Sequence, residues 1–228
     1  MIIKFKPSFS IFILCLFGAF NLCAQEVYDK YYTSIVSADF LSDDNLKNRI
    51  DLSDFDLHFL NAAVFHLTNV ERSHADLPLF GFYDNLYKSA VLHSESMIEY
   101  DYFDHVNRIK KKWRTPKERI FYFDDSYRSI AENILENNLL EHEGEILKYR
   151  TVKNSDGTLL YLDLNSNEIK YGSYFYIAKR IVLQWMNSPP HRANILDDNL
   201  RLLGCSCAVD ETKVPVMIRC TQNFGTIK

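Results

Sequence analysis

The chain has 228 residues, 47% of them hydrophobic and 25% charged, with 26 Lys plus Arg against 30 Asp plus Glu and a net charge of −4. Such a chain is long enough for one domain with a sizeable core and a decoration or two, and its charge gives no general reason to bind nucleic acid. Beyond the N-terminus no apolar stretch reaches the roughly 20 residues of a spanning helix, so a membrane-spanning mature protein is not expected.

Lys4 and Lys6 open the chain, Ile11–Phe20 is an apolar run, and Leu22-Cys23-Ala24 resembles a small-residue cleavage site. This layout predicts a secretory signal peptide over residues 1–24 and places the mature protein outside the cytoplasm, secreted or periplasmic. Of the five cysteines, Cys15 and Cys23 fall in the leader, and Cys205, Cys207 and Cys220 remain. In an oxidising compartment an odd count permits one bridge and leaves one thiol over. The two C-terminal strands make a cross-strand disulfide one reading, and three small buried hydrophobes the other.

Residues 25–53 read as a polar, acidic lead-in with little packing of its own, ahead of a single domain over 54–228. A first helix is predicted from Ser53 or Asp54, with Leu57, Leu60, Val64, Leu67 and Val70 on one face and Leu77-Pro78-Leu79 closing it. His58, His66 and His74 lie along it at a spacing that does not bring them together. A second helix, capped by Asp84, carries Leu86, Ala90, His93 and Met97 on one stripe, which points His93 inward as a hydrogen-bonded core residue. The aromatic run from Tyr100 ends at His105. Arg108–Arg114 is the only dense basic stretch: a solvated loop, or an attractor of an anionic ligand or a negatively charged envelope surface.

Thr115-Pro116-Lys117-Glu118 is a capping box with proline at the first helical position. After that short helix, Ser129–Leu135 places Glu132 and Asn133 inside an apolar segment. A buried carboxylate is costly without partners, so Glu132 needs a histidine, a backbone donor or a metal close by. Over residues 145–164, two runs rich in Leu, Tyr and Thr flank Asn154-Ser-Asp-Gly157, which predicts an inserted β-hairpin. A helix from Ser173 carries Ile177, Ala178, Ile181, Val182 and Trp185 at helical spacing and is stopped by Pro189 and Pro190. His191 follows directly, on a run with room for one more tight turn. Two strands, about Leu203–Val209 and Val214–Phe224, finish the chain; Val216, Ile218, Cys220, Gln222 and Phe224 alternate as in a half-covered antiparallel strand.

His105 and His191 thus bracket Glu132, a trio suited to a divalent metal or to acid–base chemistry without one. No His-Glu-x-x-His, Cys-x-x-Cys, Gly-x-Ser-x-Gly or phosphate-cradling loop is present. In order, Leu67-Thr-Asn-Val-Glu-Arg72, His93-Ser-Glu-Ser-Met97, Tyr102-Phe-Asp-His105, Arg119-Ile120, Ala131-Glu-Asn-Ile134, Trp185-Met-Asn-Ser-Pro-Pro-His-Arg-Ala-Asn-Ile-Leu196, Leu203-Gly204 and Thr221-Gln-Asn-Phe-Gly225 resemble bacterial members of the CAP superfamily, the SCP domain of cysteine-rich secretory, antigen and pathogenesis-related proteins.

The resemblance covers about Asp54–Gly225. It implies an α+β fold, an α-β-α sandwich with a small antiparallel sheet between helical layers and a central cleft, here with the hairpin inserted. In eukaryotic relatives that cleft holds two histidines and two acids, which bind divalent metal in some members. By motif the histidines fall on His105 and His191 and one acid on Glu132, while the position of the other holds Ser188. The resemblance thus implies a cleft of His105, Glu132, His191, Ser188, Asn133, Asn194 and His93, with His105 and His191 as the metal candidates. Three readings follow. The first is a secreted binding or interaction module that needs no cofactor and recognises a lipid, peptide, envelope glycan or other small partner. The second is a hydrolase with zinc or another divalent metal on His105 and His191 and Glu132 as the base. The third is a purely structural network. Whether there is an enzymatic reaction stays open at this level.

Overall fold

A computed structural model describes residues 29–33, 36–142, 148–155 and 157–228; the leader expected at residues 1–24 lies outside them. The chain divides into two units, the first ending at Val36 and the second beginning at Ser37. In the first, Asp29–Thr33 makes one π-helical turn. Among the described residues no helix is long and apolar enough to cross a membrane.

The second unit begins with α1 (Ser37–Leu41) and two 3-10 turns at Asp44–Lys47 and Leu52–Asp54. Contrary to the expectation of an unpacked lead-in, Phe40, Leu46 and Ile50 are buried. Phe40 stacks on His66 at 4.3 Å, and Ile50 donates its N–H to the Gly172 carbonyl at 2.9 Å. Single apolar residues on short 3-10 turns carry no helical or strand period, which is why the polar composition masks them. The first long helix, α2 (Leu57–His74), is capped by the Asp56 carboxylate on the Phe59 N–H, two or three residues later than expected because the 3-10 turn takes up Ser53 and Asp54. His58 bonds the Tyr87 hydroxyl and His66 the Ser37 hydroxyl, so both are structural.

The chain continues through β1 (Gly81–Phe82) into α3 (Asp84–Glu99). Its N-cap is Tyr83, which makes no side-chain cap bond; Asp84 sits one residue inside, where its carboxylate complements the helix dipole instead. Leu86, Ala90, His93 and Met97 are fully buried, as their stripe requires. After a 3-10 turn at Lys111–Trp113 comes α4 (Pro116–Phe123), whose Thr115–Glu118 capping box forms in full.

Next are β2 (Tyr127–Asn138), then β3 (Arg150–Lys153), β4 (Leu159–Leu162) and β5 (Glu168–Ile169). The expected hairpin is present as β3 and β4, but β5 adds a third strand, so the insertion is a small antiparallel sheet of its own. Gly157, at φ +90°, supplies the left-handed turn conformation between β3 and β4. Helix α5 (Tyr174–Asn187), capped by Ser173, hands over at Ser188 to α6 (Pro189–Ile195). The two prolines that end α5 are the first residues of α6, where a missing N–H costs nothing. His191 therefore stands in the first turn of a helix and not in a loop.

Strands β6 (Leu202–Asp210) and β7 (Met217–Ile227) complete the main sheet, ordered β1-β6-β7-β2. It is antiparallel apart from β1, which adds two residues parallel to β6. The half-covered strand expected at the C-terminus is in fact buried on both faces. Thr221 and Asn223 meet Ser94 and Ser89 of α3, while Gln222, one residue over, meets Thr68 of α2. Helices α3 and α4 cover one face; α2, α5 and α6 cover the other. This is the α-β-α sandwich.

Register selects the disulfide. Cys207 lies directly opposite Cys220 and bridges to it, and Cys205, two pairs along and opposite Gln222, stays a buried free thiol that burial pushes far above its ordinary pKa. At Gly204 the helix comes too close for any side chain: a Cβ there would lie 2.0 Å from the Tyr87 nitrogen and 2.3 Å from the Leu86 carbonyl carbon, both backbone of α3. Gly204→Ala must therefore push α3 off the sheet and is expected to destabilise by more than about 3 kcal/mol, beyond ordinary overpacking. Denaturant unfolding checks this, and a loss below about 1 kcal/mol contradicts so close an approach.

Candidate functional site

Successive residues of a strand point to opposite faces, and β2 uses this at Glu132 and Asn133. Glu132 faces the α3–α4 layer and Asn133 faces the α5–α6 layer. Because β2 is the edge of the sheet, the two sets of contacts meet around that edge.

On the first face the Glu132 carboxylate is buried and surrounded by donors. Arg119 Nη2, equally buried, donates to both carboxylate oxygens at 2.9 Å. His105 Nδ1 donates to Oε1 at 2.9 Å. With its amide turned to satisfy its surroundings, Asn223 donates to Oε2 at 3.1 Å and accepts from Ser89 Oγ and Ala90 N. His93 completes the shell, with Nδ1 3.3 Å from Oε2 and Nε2 3.2 Å from the Asp104 carbonyl. Both of its neighbours are acceptors, so a neutral ring satisfies only one of them. Burial keeps it neutral, holding His93 below the usual histidine range against the pull of Glu132. For Glu132 itself burial works to raise the pKa, but the hydrogen bonds from His105 and His93 and the charge of Arg119 outweigh it and bring the group down to about 2.

Arg119 does more than neutralise Glu132. Its guanidinium also donates to the carbonyls of His105 (2.9 Å), Trp113 (3.2 Å) and Arg114 (3.1 Å). The segment between α3 and α4 is thus pinned to the strand through one side chain. This role is absent from the sequence reading, where Arg119 figures only as part of a short motif. Asn223 is likewise missed. The available signal was the pair Arg119-Ile120 on a helix of eight residues, both of which are fully buried.

On the second face Asn133 Nδ2 donates to the His191 carbonyl and to Gln222 Oε1, both at 3.1 Å. Its own Oδ1 accepts from Asn194 Nδ2 at 2.8 Å, and the same Asn194 nitrogen reaches the Glu132 carbonyl at 3.4 Å. Trp185, fully buried, donates from Nε1 to the Ile134 carbonyl at 3.1 Å. Arg180 covers the carbonyls of Asn138 and Leu140. Outward-facing carbonyls of an edge strand invite pairing with another chain; here side chains of α5 and α6 occupy them. Ser188 joins the two helices and makes no side-chain cap bond.

Glu132, Asn133, Asn194 and His93 are therefore engaged inside the protein, and the His105 and His191 rings are the ones left toward solvent. The His105 side chain is 44% exposed. Its Nδ1 proton is committed to Glu132, which fixes how the ring is turned and leaves Nε2 outside that bond. His191 is held below the usual histidine range by partial burial first and by repulsion from His105 second.

A tetrahedral zinc site takes three or four ligands. The Glu132 carboxylate is already consumed, Ser188 offers no carboxylate, and among the described residues no three His, Cys, Asp or Glu side chains gather as a ligand set. The residues present thus fit such a metal poorly. A groove of about 700 Å³ runs from Ser188 past Gln184 and Arg180 to Tyr176 and Asn137. The inserted sheet lines a second groove of about 960 Å³ with Arg49 and Glu141, which shares His142 and Tyr176 with the first.

The buried pair has a pH signature. Because the folded-state pKa of Glu132 lies below its ordinary value of 4.5, the stability it confers is fully present above 4.5 and is lost as pH falls toward about 2. Glu132→Gln is expected to cost about 3 kcal/mol at neutral pH. The gap between wild type and variant in denaturant unfolding should close across that window; a gap that does not change with pH contradicts an ionised Glu132.

The family model described as the cysteine-rich secretory protein family, CAP, matches residues 65–224. An outer surface protein of Borrelia burgdorferi shares 17% identity at a TM-score of 0.50, with 80% of this chain and 99% of that one covered. An extracellular protein containing an SCP domain from Bacillus anthracis shares 20% identity at a TM-score of 0.47. That alignment covers 73% of this chain, which spans 40% of the Bacillus protein. No curated protein matches the chain. With the family model matched across both helical layers and the main sheet, the chain belongs to the CAP, or cysteine-rich secretory protein, family.

Proposed function

We propose that the protein is an extracytoplasmic binding module whose recognition surface is the cleft between His105 and His191. One observation carries this reading: the Glu132 carboxylate is spent on Arg119, His105 and Asn223, so it orients His105 and does not act as a base. A carboxylate whose pKa is about 2 is a weak proton acceptor at neutral pH. What is left toward solvent is the His105 ring, oriented by Glu132, and the His191 side chain, and the groove that starts at Ser188 is lined by amides, Tyr176, Lys179 and Arg180, groups suited to hydrogen bonding and stacking. The leader-like N-terminus and the outer-surface name of the similar Borrelia burgdorferi protein support the location. The ligand class stays broad: a lipid, a peptide or an envelope glycan.

Native mass spectrometry of the protein recovered from envelope extracts tests it. The wild type is expected to carry a bound species, and His105→Ala/His191→Ala to lose it by at least about tenfold in affinity. A wild type that emerges bare, or a species that both proteins retain equally, contradicts the reading. Zinc titration decides the second reading, a metal-assisted hydrolase. Equal heats in wild type and His191→Ala remove the metal step, whereas a heat lost in the variant together with zinc-dependent hydrolysis favours the enzyme over the binding module.

A further inference from the structure

Residues 107–117 carry six cations, Arg108, Lys110, Lys111, Lys112, Arg114 and Lys117, and no acid, in a chain whose net charge is −4. Such a run is ordinarily a solvated loop, but three features set this one apart. It is preformed: Arg119 holds the Trp113 and Arg114 carbonyls, the Asn107 N–H donates to the Arg114 carbonyl at 2.8 Å, and the Asn107 side chain accepts from the Ile109 and Lys110 N–H groups. Its cations are braced on aromatic rings: Lys112 lies 4.2 Å from the Tyr122 ring centroid and 5.3 Å from that of Trp113, and Lys117 5.2 Å from that of Phe121. Finally, apolar side chains stand exposed among the lysines, Ile109 at 54% and Tyr122 at 52%.

A soluble polyanion is served by the charges alone. Exposed Ile and Tyr among lysines fit a surface that is negative at its face and apolar just beneath, where the charges meet lipid phosphates and the apolar tips enter the headgroup boundary. We propose that residues 107–122 form a docking surface for an anionic lipid bilayer. Arg108 is partly neutralised by Asp104 at 3.4 Å, which leaves the three consecutive lysines as the main electrostatic contact. Because the loop is already folded, docking orders little chain, and the acidic remainder of the protein turns this face toward the membrane. The proposal does not depend on what the His105–His191 cleft binds.

Co-sedimentation with vesicles tests it, using protein recovered from the extracytoplasmic fraction of an expression host. The vesicles are phosphatidylcholine alone, or phosphatidylcholine mixed with phosphatidylglycerol. The wild type should partition onto the mixed vesicles and not onto phosphatidylcholine, more weakly as salt rises. Lys110→Gln/Lys111→Gln/Lys112→Gln should lower that partition by about 100-fold. Ile109→Ser/Tyr122→Ser should lower it by about tenfold with every charge retained. All five side chains project outward, so both variants should melt with the wild type. Equal partition onto the two vesicle types, or an undiminished partition of the lysine variant, overturns the proposal. So does an unchanged Ile109→Ser/Tyr122→Ser variant whose binding is fully competed by dextran sulfate, because the surface then reads charge without a bilayer.

Discussion

The site depends on one ion pair taken out of water. Burying a carboxylate and a guanidinium costs several kcal/mol each, and their attraction offsets this only when the remaining lone pairs and protons are also satisfied. The Glu132–Arg119 pair meets that condition nearly in full: two contacts between the charges, His105 and Asn223 on the carboxylate, and three loop carbonyls on the guanidinium. The pair therefore does positional work. It fixes the ring of His105, hangs the segment from His105 to Arg114 on the sheet and sets where α4 begins. The shell leaves Arg119 Nε and one His93 nitrogen unsatisfied, and the contacts that are made fix how the loop meets the strand.

The other half of the constraint is the bare edge of β2. An isolated edge strand exposes every second carbonyl, and a sheet of four strands whose second edge is a two-residue strand has little with which to hide it. The block from Trp185 to Leu196 answers that need. Trp185 and Asn194 bond carbonyls of the strand, and Asn133 returns a bond to the backbone of His191. His191 is thus placed by the chemistry that seals the edge, just as His105 is placed by the chemistry that neutralises Glu132. Two unrelated stabilising requirements thus position the two histidines from opposite faces of a single strand.

Much of this was legible where the cause is local. The capping box at Thr115–Glu118, the helix start near Ser173 and the inward stripe through His93 each depend on residues within one or two turns, and each formed as read. The sequence-level demand that Glu132 find a partner was sound physics, but it could not name Arg119, whose approach depends on how α4 packs against β2. Asp84 misled because a good capping residue one position inside a helix still suits its dipole. The lead-in misled because Phe40, Leu46 and Ile50 pack from turns that have no period. The strand β1 and the register that pairs Cys207 with Cys220 are products of tertiary pairing, invisible to any local pattern. The Glu132-Asn133 dipeptide was readable in retrospect: adjacent polar residues in an apolar strand imply one polar contact on each face.

Held by Arg119 and His105, Glu132 is an ionised anchor at neutral pH. A carbon-13 NMR titration of the Glu132 side-chain carboxyl in the folded protein tests this. The resonance is expected to hold its ionised position through the range in which ordinary glutamates titrate, near 4.5, and to move only as pH approaches about 2. A midpoint at or above 4.5 would contradict it, returning Glu132 to the pool of groups able to carry a proton in catalysis.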